Sequence, residues 1–221
     1  NEDRRPRAVA FLEAYELERR PEDLAIARST IDFIVRDLGC VDEGETGIWF
    51  RYFSGHDAVV YNVAALSGAL MQRVARLTGE TELLAQGTRA LQFVVRHQNP
   101  DGSWYYARGP QGQWVDGFHT GYNLCALYRY SQYLQDSRYN ENILSGFRYY
   151  LDHFFNTDGH KTAGKDLGCG QVAVYVGKVI GEALPEQQLI SIYLFVFFED
   201  RLSCHVDFHC DFSYVSKAIG I

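Results

Sequence analysis

The chain has 221 residues and a formal net charge of −7, with 47% hydrophobic and 22% charged side chains. That balance belongs to a folded globular protein and excludes a disordered one. The acidic excess argues against nucleic acid or an anionic membrane surface as the main partner. The longest largely apolar run, Leu189 to Phe198, is about half the length that spans a bilayer. The cysteines, odd in number and without a Cys-x-x-Cys, read as reduced thiols, so a cytoplasmic protein is expected. The chain opens Asn1-Glu2-Asp3 without Met, which leaves a removed leader and a periplasmic setting open.

In chain order the strong segments carry the helical period. Pro6 to Arg19 is weakly amphipathic. Pro21 stands where a proline opens a helix, followed by Leu24, Ala27, Ile31, Ile34 and Leu38 at spacings of three and four, and Gly39 stops it. Asp57 to Leu77 is apolar most of the way round, as expected of a helix buried on most faces. Gly79 ends that segment, and Glu80 to His97 is amphipathic again. Gly117 to Gln135 is a second broadly apolar helix, rich in tyrosine, and Ser137 to Phe155 is amphipathic. His160 to Gly181 is glycine-rich, and Pro185 to Arg201 fits a helix or a strand equally well, so residues 161–221 read as a poorly defined continuation of the helical domain over 1–160.

Buried and half-buried helices thus alternate, with a repeat of about 60 residues in which Tyr61-Asn62 returns as Tyr122-Asn123 and Gly47-Ile48-Trp49 as Gly102-Ser103-Trp104. This predicts helical hairpins with the buried helices inside. The inner-to-outer turns are short. The outer-to-inner loops, Gly39 to His56 and Asn99 to Asp116, are long, and long matched loops in a compact domain are usually functional. They fall at one end of the assembly, with the N-termini of the inner helices, and the site is expected there.

Arg89 to Trp104, with Gln98 and Gly102-Ser103-Trp104, resembles the Gln–Trp repeat of isoprenoid (terpenoid) cyclases, a helix-end signature shared loosely across α/α-toroid proteins. Trp114-Val115-Asp116-Gly117-Phe118-His119-Thr120-Gly121-Tyr122-Asn123 is similar to a stretch of bacterial six-hairpin, glycosidase-like proteins encoded among exopolysaccharide genes. The resemblance covers residues 47–160. It implies an all-α fold, an (α/α) toroid or an arc of one, acting on an acidic or bacterial exopolysaccharide by hydrolysis, elimination or epimerisation. A full toroid has six hairpins and this chain supplies roughly three and a half, so a dimer or the remainder of a toroid is an expected partner besides the oligosaccharide or polysaccharide. In that group the next inner helix opens apolar-Asp-apolar-His. Val206-Asp207-Phe208-His209 has this form, later in the chain than the repeat predicts, and adds Asp207 and His209 to the candidate binding residues. A non-catalytic glycan-binding or assembly protein is the alternative. An isoprenoid-cyclase-like protein is disfavoured by the lack of an Asp-x-Asp-Asp.

Asp57 and Asp116 are each expected to begin an inner helix, and adjacent helices pack about 8–10 Å apart. Two such carboxylates can flank a glycosidic bond as acid and base, or simply cap their helices. His56 and His119 stand at the same end and can share protons near neutral pH. The candidate catalytic residues are therefore Asp116, Asp57 and His119. Trp114 and Tyr106 are candidates for a sugar-stacking platform, with Trp49 beside them, while Trp104 reads as a loop anchor paired with Gln98. Tyr61, Asn62, Tyr122 and Asn123, one turn deeper, either hold substrate hydroxyls or pack hairpin against hairpin. His56 joins them as a binding candidate. Arg51 and Arg108 can hold a uronate carboxylate or remain solvated. Cys204-His205-Val206-Asp207-Phe208-His209-Cys210 is rich in metal-capable side chains, but no second Cys/His pair at a usual spacing supports zinc, and neither a metal nor a cofactor is assigned.

Overall fold

The computed structural model describes residues 5–55, 57–154 and the short segments 172–175 and 195–198. The chain divides into two compact units, Asn1–Asp166 and Leu167–Ile221. In the first, helix α1 (Arg5–Glu18) is followed by α2 (Pro21–Asp32), which continues in wider π-type turns over Phe33–Gly39. Strands β1 (Cys40–Asp42) and β2 (Ile48–Phe50) form an antiparallel hairpin with Cys40 opposite Phe50. Helices α3 (Tyr61–Thr78), α4 (Thr81–Arg96), α5 (Gly117–Leu134) and α6 (Asn140–Phe154) follow. In the second unit β3 (Val172–Tyr175) pairs antiparallel with β4 (Phe195–Phe198), which resolves as strand part of a segment whose sequence fits either structure.

The helices pair as α1–α2, α3–α4 and α5–α6, and α3 packs along α5. That is the hairpin arrangement the alternating burial predicts, with α3 and α5 inside. The core of α3 is built by Val63, Leu70, Met71 and Val74, against Leu12 of α1, Ile31 of α2, Ile34 beyond it and Ala90 of α4. Two ion-pair systems tie the outer elements to α3. Arg73 donates to Glu13 at 2.6 Å and to Glu16 at 2.7 Å on α1, and Arg28 of α2 donates to Glu80 at 3.1 Å at the α3–α4 turn. No helix among the described residues is long and apolar enough to cross a membrane.

One boundary departs from the sequence reading. Helix α3 begins at Tyr61, not at Asp57, and its N-cap position is held by Val60 without a capping side chain. The reason lies far along the chain. Val60 is bridged to Ala107, Arg108 N–H donates to the Val59 carbonyl at 2.8 Å, and Tyr61 N–H donates to the Tyr106 carbonyl at 3.3 Å. Backbone committed to an extended bridge cannot also serve a helix.

The two repeats also differ in kind. Gly47 and Gly102 both have positive φ, and a Cβ on either would strike the backbone of an outer helix, at the Arg89 carbonyl of α4 and the Ser145 carbonyl of α6. These glycines are structural equivalents, each letting a loop lie directly on its helix. The Tyr-Asn pairs are not. The left-handed caps Gly79 and Gln135 bring Tyr61 into register with Gly117 and place Tyr122 opposite Leu66 in the repeat.

Candidate functional site

Both long loops lie at the end where the outer helices finish and the inner helices start. The loop after α4 is pinned first by Gln98. Its amide N–H donates to the carbonyls of Gly102 and Asn142, both at 2.9 Å, and its oxygen accepts from Asn142 Nδ2 at 2.7 Å, joining the end of α4 to the start of α6. Trp104, 1% exposed, donates its indole N–H to the Val94 carbonyl at 2.9 Å. Trp104 is therefore an anchor, and the loop beyond it is free to carry other side chains.

Those side chains converge on Asp116 and His119. Asp116 is extended, caps α5 and is 6% exposed. Its Oδ1 accepts the His119 backbone N–H at 2.7 Å while Oδ2 pairs with His119 Nδ1 at 2.6 Å. One carboxylate thus starts the helix and orients the imidazole three residues on, a geometry available because residue N3 lies directly over the cap. With Nδ1 engaged, Nε2 of His119 has no hydrogen-bond partner among the described residues, and the side chain is 18% exposed. Tyr106 and Trp114 stack at 4.4 Å between ring centroids, 14° from parallel. Tyr106 meets the imidazole edge-on at 4.6 Å, Trp114 at 5.6 Å and Phe118 at 5.1 Å. The Tyr106 N–H to Trp114 carbonyl bond, 2.8 Å, holds the two rings' backbones together. Farther along α5 are Thr120 Oγ1 and both amide atoms of Asn123, fully buried and without hydrogen-bond partners among the described residues.

The other predicted residues are placed differently. Asp57 does not begin a helix. It lies in the loop before α3, its side chain 81% exposed, and pairs with Arg51 at 2.9 Å. The expected symmetry of two helix-opening carboxylates is absent, because the bridge at Val60 moves the start of α3 away from Asp57. Tyr122 is buried and meets Phe118 at 4.6 Å; Asn62 is buried in the first turn of α3, and its Oδ1 has no hydrogen-bond partner among the described residues. His56, Asp207 and His209, and the Cys204–Cys210 run, lie outside the described residues. Among the described residues no group of three or more His, Cys, Asp or Glu side chains gathers as a metal site would require.

A second cluster on the same loops was missed in the sequence. Glu43 accepts from Arg108 at 2.8 and 3.0 Å and from the Trp49 indole N–H at 2.7 Å. The Arg108 hydrogen bonds hold the Glu43 carboxyl below its ordinary value against the opposing effect of partial burial. Arg108 also reaches His97 Nε2 at 3.0 Å and lies over the Phe93 ring. Tyr61 stacks on His97 at 5.0 Å. Arg108 and Trp49 are thus committed to protein partners. Four separate segments supply this cluster, and no local spacing could have revealed it.

No protein-family profile matches the chain, and no curated protein sequence matches it. Solved structures do. A glycoside hydrolase family 76 mannosidase from Bacteroides thetaiotaomicron aligns with a TM-score of 0.57 at 14% identity, over 67% of this chain and 43% of its own. A cellobiose 2-epimerase from Spirochaeta thermophila aligns with a TM-score of 0.54 at 12% identity, over 71% of this chain and 44% of its own. The first unit is an arc of an α/α toroid. The alignments span less than half the length of either neighbour.

Proposed function

We propose that this chain contributes the loop end of a carbohydrate-processing toroid, in which His119, oriented by Asp116, transfers a proton to or from a sugar stacked on Tyr106 and Trp114. The observation that carries the reading is the 2.6 Å pairing of Asp116 Oδ2 with His119 Nδ1. A ring whose Nδ1–H is held by a carboxylate presents Nε2 as the base, and the carboxylate stabilises the imidazolium that forms. Tyr106 and Trp114 stack face to face, so the apolar surface available to sugar C–H groups is the outer face of the stacked pair rather than the two rings side by side.

This geometry favours histidine-based proton transfer over hydrolysis by paired carboxylates. Asp116 has an oxygen on each of two donors at His119, and Asp57 is exposed and paired with Arg51. The matching chemistry is removal of a proton from a carbon beside a carbonyl, in a ring-opened aldose or a uronate. Return of the proton gives epimerisation; departure of a leaving group gives elimination. An acidic or bacterial exopolysaccharide remains the substrate class that the sequence resemblance suggests, and the neighbouring structures are named for sugar chemistry. The test is incubation in D₂O with a panel of mannose-, glucose- and uronate-containing oligosaccharides, read by mass spectrometry. Solvent deuterium gained at unchanged chain length supports epimerisation, and shortened chains without added water support elimination. Shortened chains with added water would restore hydrolysis. No change together with measurable binding would make this a glycan-binding module.

A further inference from the structure

We propose that the seam between α3 and α5 holds a bound water beside His119, shared by Asn62, Thr120 and Asn123. The three side chains belong to residues only 8%, 0% and 1% exposed. Asn62 Oδ1, Thr120 Oγ1 and both amide atoms of Asn123 have no hydrogen-bond partner among the described residues. Buried polar groups of folded proteins are almost always satisfied, because one left bare carries its whole desolvation cost. Four such atoms at one level of the fold point to a common ligand.

Their common level follows from the helix period. Asn62, Ala69 and Arg76 recur every seven residues and lie on one stripe of α3; His119, Ala126 and Tyr133 do the same on α5. The Arg76 guanidinium lies over the Tyr133 ring, 5.6 Å from its centroid, so the two stripes face each other with Asn62 at the level of His119. Tyr106 marks the same level, since its carbonyl accepts from Tyr61 N–H at 3.3 Å while its ring meets the His119 imidazole at 4.6 Å. Thr120 follows His119 directly, and Asn123, three residues on, is its neighbour on the helix surface. The chemistry of the set selects water. Asn123 Nδ2 only donates, the two amide oxygens only accept and the threonine hydroxyl does either, so the ligand must donate and accept at once. The atoms are fully buried, which excludes a sugar and suits a molecule that makes about three such bonds inside proteins. There the water ties the first turn of α3 to the first turns of α5 beside the Asp116–His119 pair. This inference does not rest on the proposed activity, because the water is counted without any sugar.

Oxygen-17 relaxation dispersion of the solvent, measured on the full chain, counts waters held longer than the protein takes to tumble. Asn123→Leu should remove about one such water relative to the parent. Thr120→Val, which keeps the shape of the side chain, should remove the same water and takes the place of Asn123→Leu if that variant does not fold. Urea unfolding gives the second readout. A shared water couples the two helices, so Asn62→Leu should lower the folded-to-unfolded ratio by about tenfold in the parent but by about threefold or less in the Asn123→Leu or Thr120→Val background. The inference is overturned if parent and variants give the same dispersion. It is equally overturned if the paired substitutions act independently, or if Asn123→Leu stabilises the protein, since removing an orphaned amide from a dry seam relieves its desolvation.

Discussion

At the scale of the residue, Asp116 has two separable duties, and substitution can tell them apart. Asn is as good a helix cap as Asp but cannot stabilise an imidazolium. Asp116→Asn should therefore keep the urea midpoint within about 1 kcal/mol of the parent while turnover falls by about a hundredfold or more. Asp116→Ala should lose the cap as well and unfold about 1–2 kcal/mol more easily. If both variants unfold alike and neither loses activity, Asp116 is a cap only. Trp104 is a contrasting case, since its ring is buried and its N–H closes the end of α4 on Val94. Trp104→Phe should cost about 1–3 kcal/mol in chemical denaturation without selectively affecting sugar binding. Its role was legible in the sequence, where Gln98 and Trp104 sit in a helix-end pattern. That of Arg108 was not, because its partners are contributed by residues 43, 61 and 97.

At the scale of the element, the helices were legible because each carries its own apolar period, and the ends of α4 and α5 fall within a residue or so of their sequence signals. What local reading could not supply were the pairings made across the chain. The β1–β2 hairpin has strands of three residues, too short for an alternation to register, and the start of α3 is set by Ala107 and Arg108. The loops carry a prediction of their own. Arg108 holds the Glu43 carboxyl below its ordinary value, so this pair stabilises the fold above the unfolded-state carboxyl range and loses its contribution as pH falls through the depressed folded value. The melting-temperature difference between the parent and Glu43→Gln should therefore shrink on acidification. It should be modest throughout, because the pair is partly exposed and solvent-screened. The α1–α3 junction behaves in the opposite way, since Arg73 is 6% exposed and answers to two glutamates nearer the surface. Replacing Glu13 and Glu16 together by Ala should strand a buried cation at a cost of about 3–5 kcal/mol, whereas Arg73→Met, which lets both glutamates resolvate, should change stability by less than about 1 kcal/mol in the same denaturation assay. Equal losses would mean that the pairing itself, rather than stranded charge, sets the energy.

At the scale of the molecule, an arc of an α/α toroid brings the long loops and the inner-helix N-termini to one end, and the alternation of buried and half-buried helices foretold that arrangement. The repeat foretold it only in part. Its Gly-x-Trp element marks equivalent loop-on-helix contacts, whereas the recurrence of Tyr-Asn joins positions that the helix caps set apart. The same false symmetry paired Asp57 with Asp116, and the fold replaces that pair with a carboxylate–imidazole unit on a single helix. We propose that this unit moves the proton. The most direct measurement is solvent-deuterium incorporation into sugar by three proteins in parallel, the parent, His119→Gln and Asp57→Asn, on the oligosaccharide panel in D₂O. Exchange is expected of the parent, lost in His119→Gln and retained in Asp57→Asn. Exchange that survives in His119→Gln, or disappears in Asp57→Asn, would contradict a proton transfer by His119.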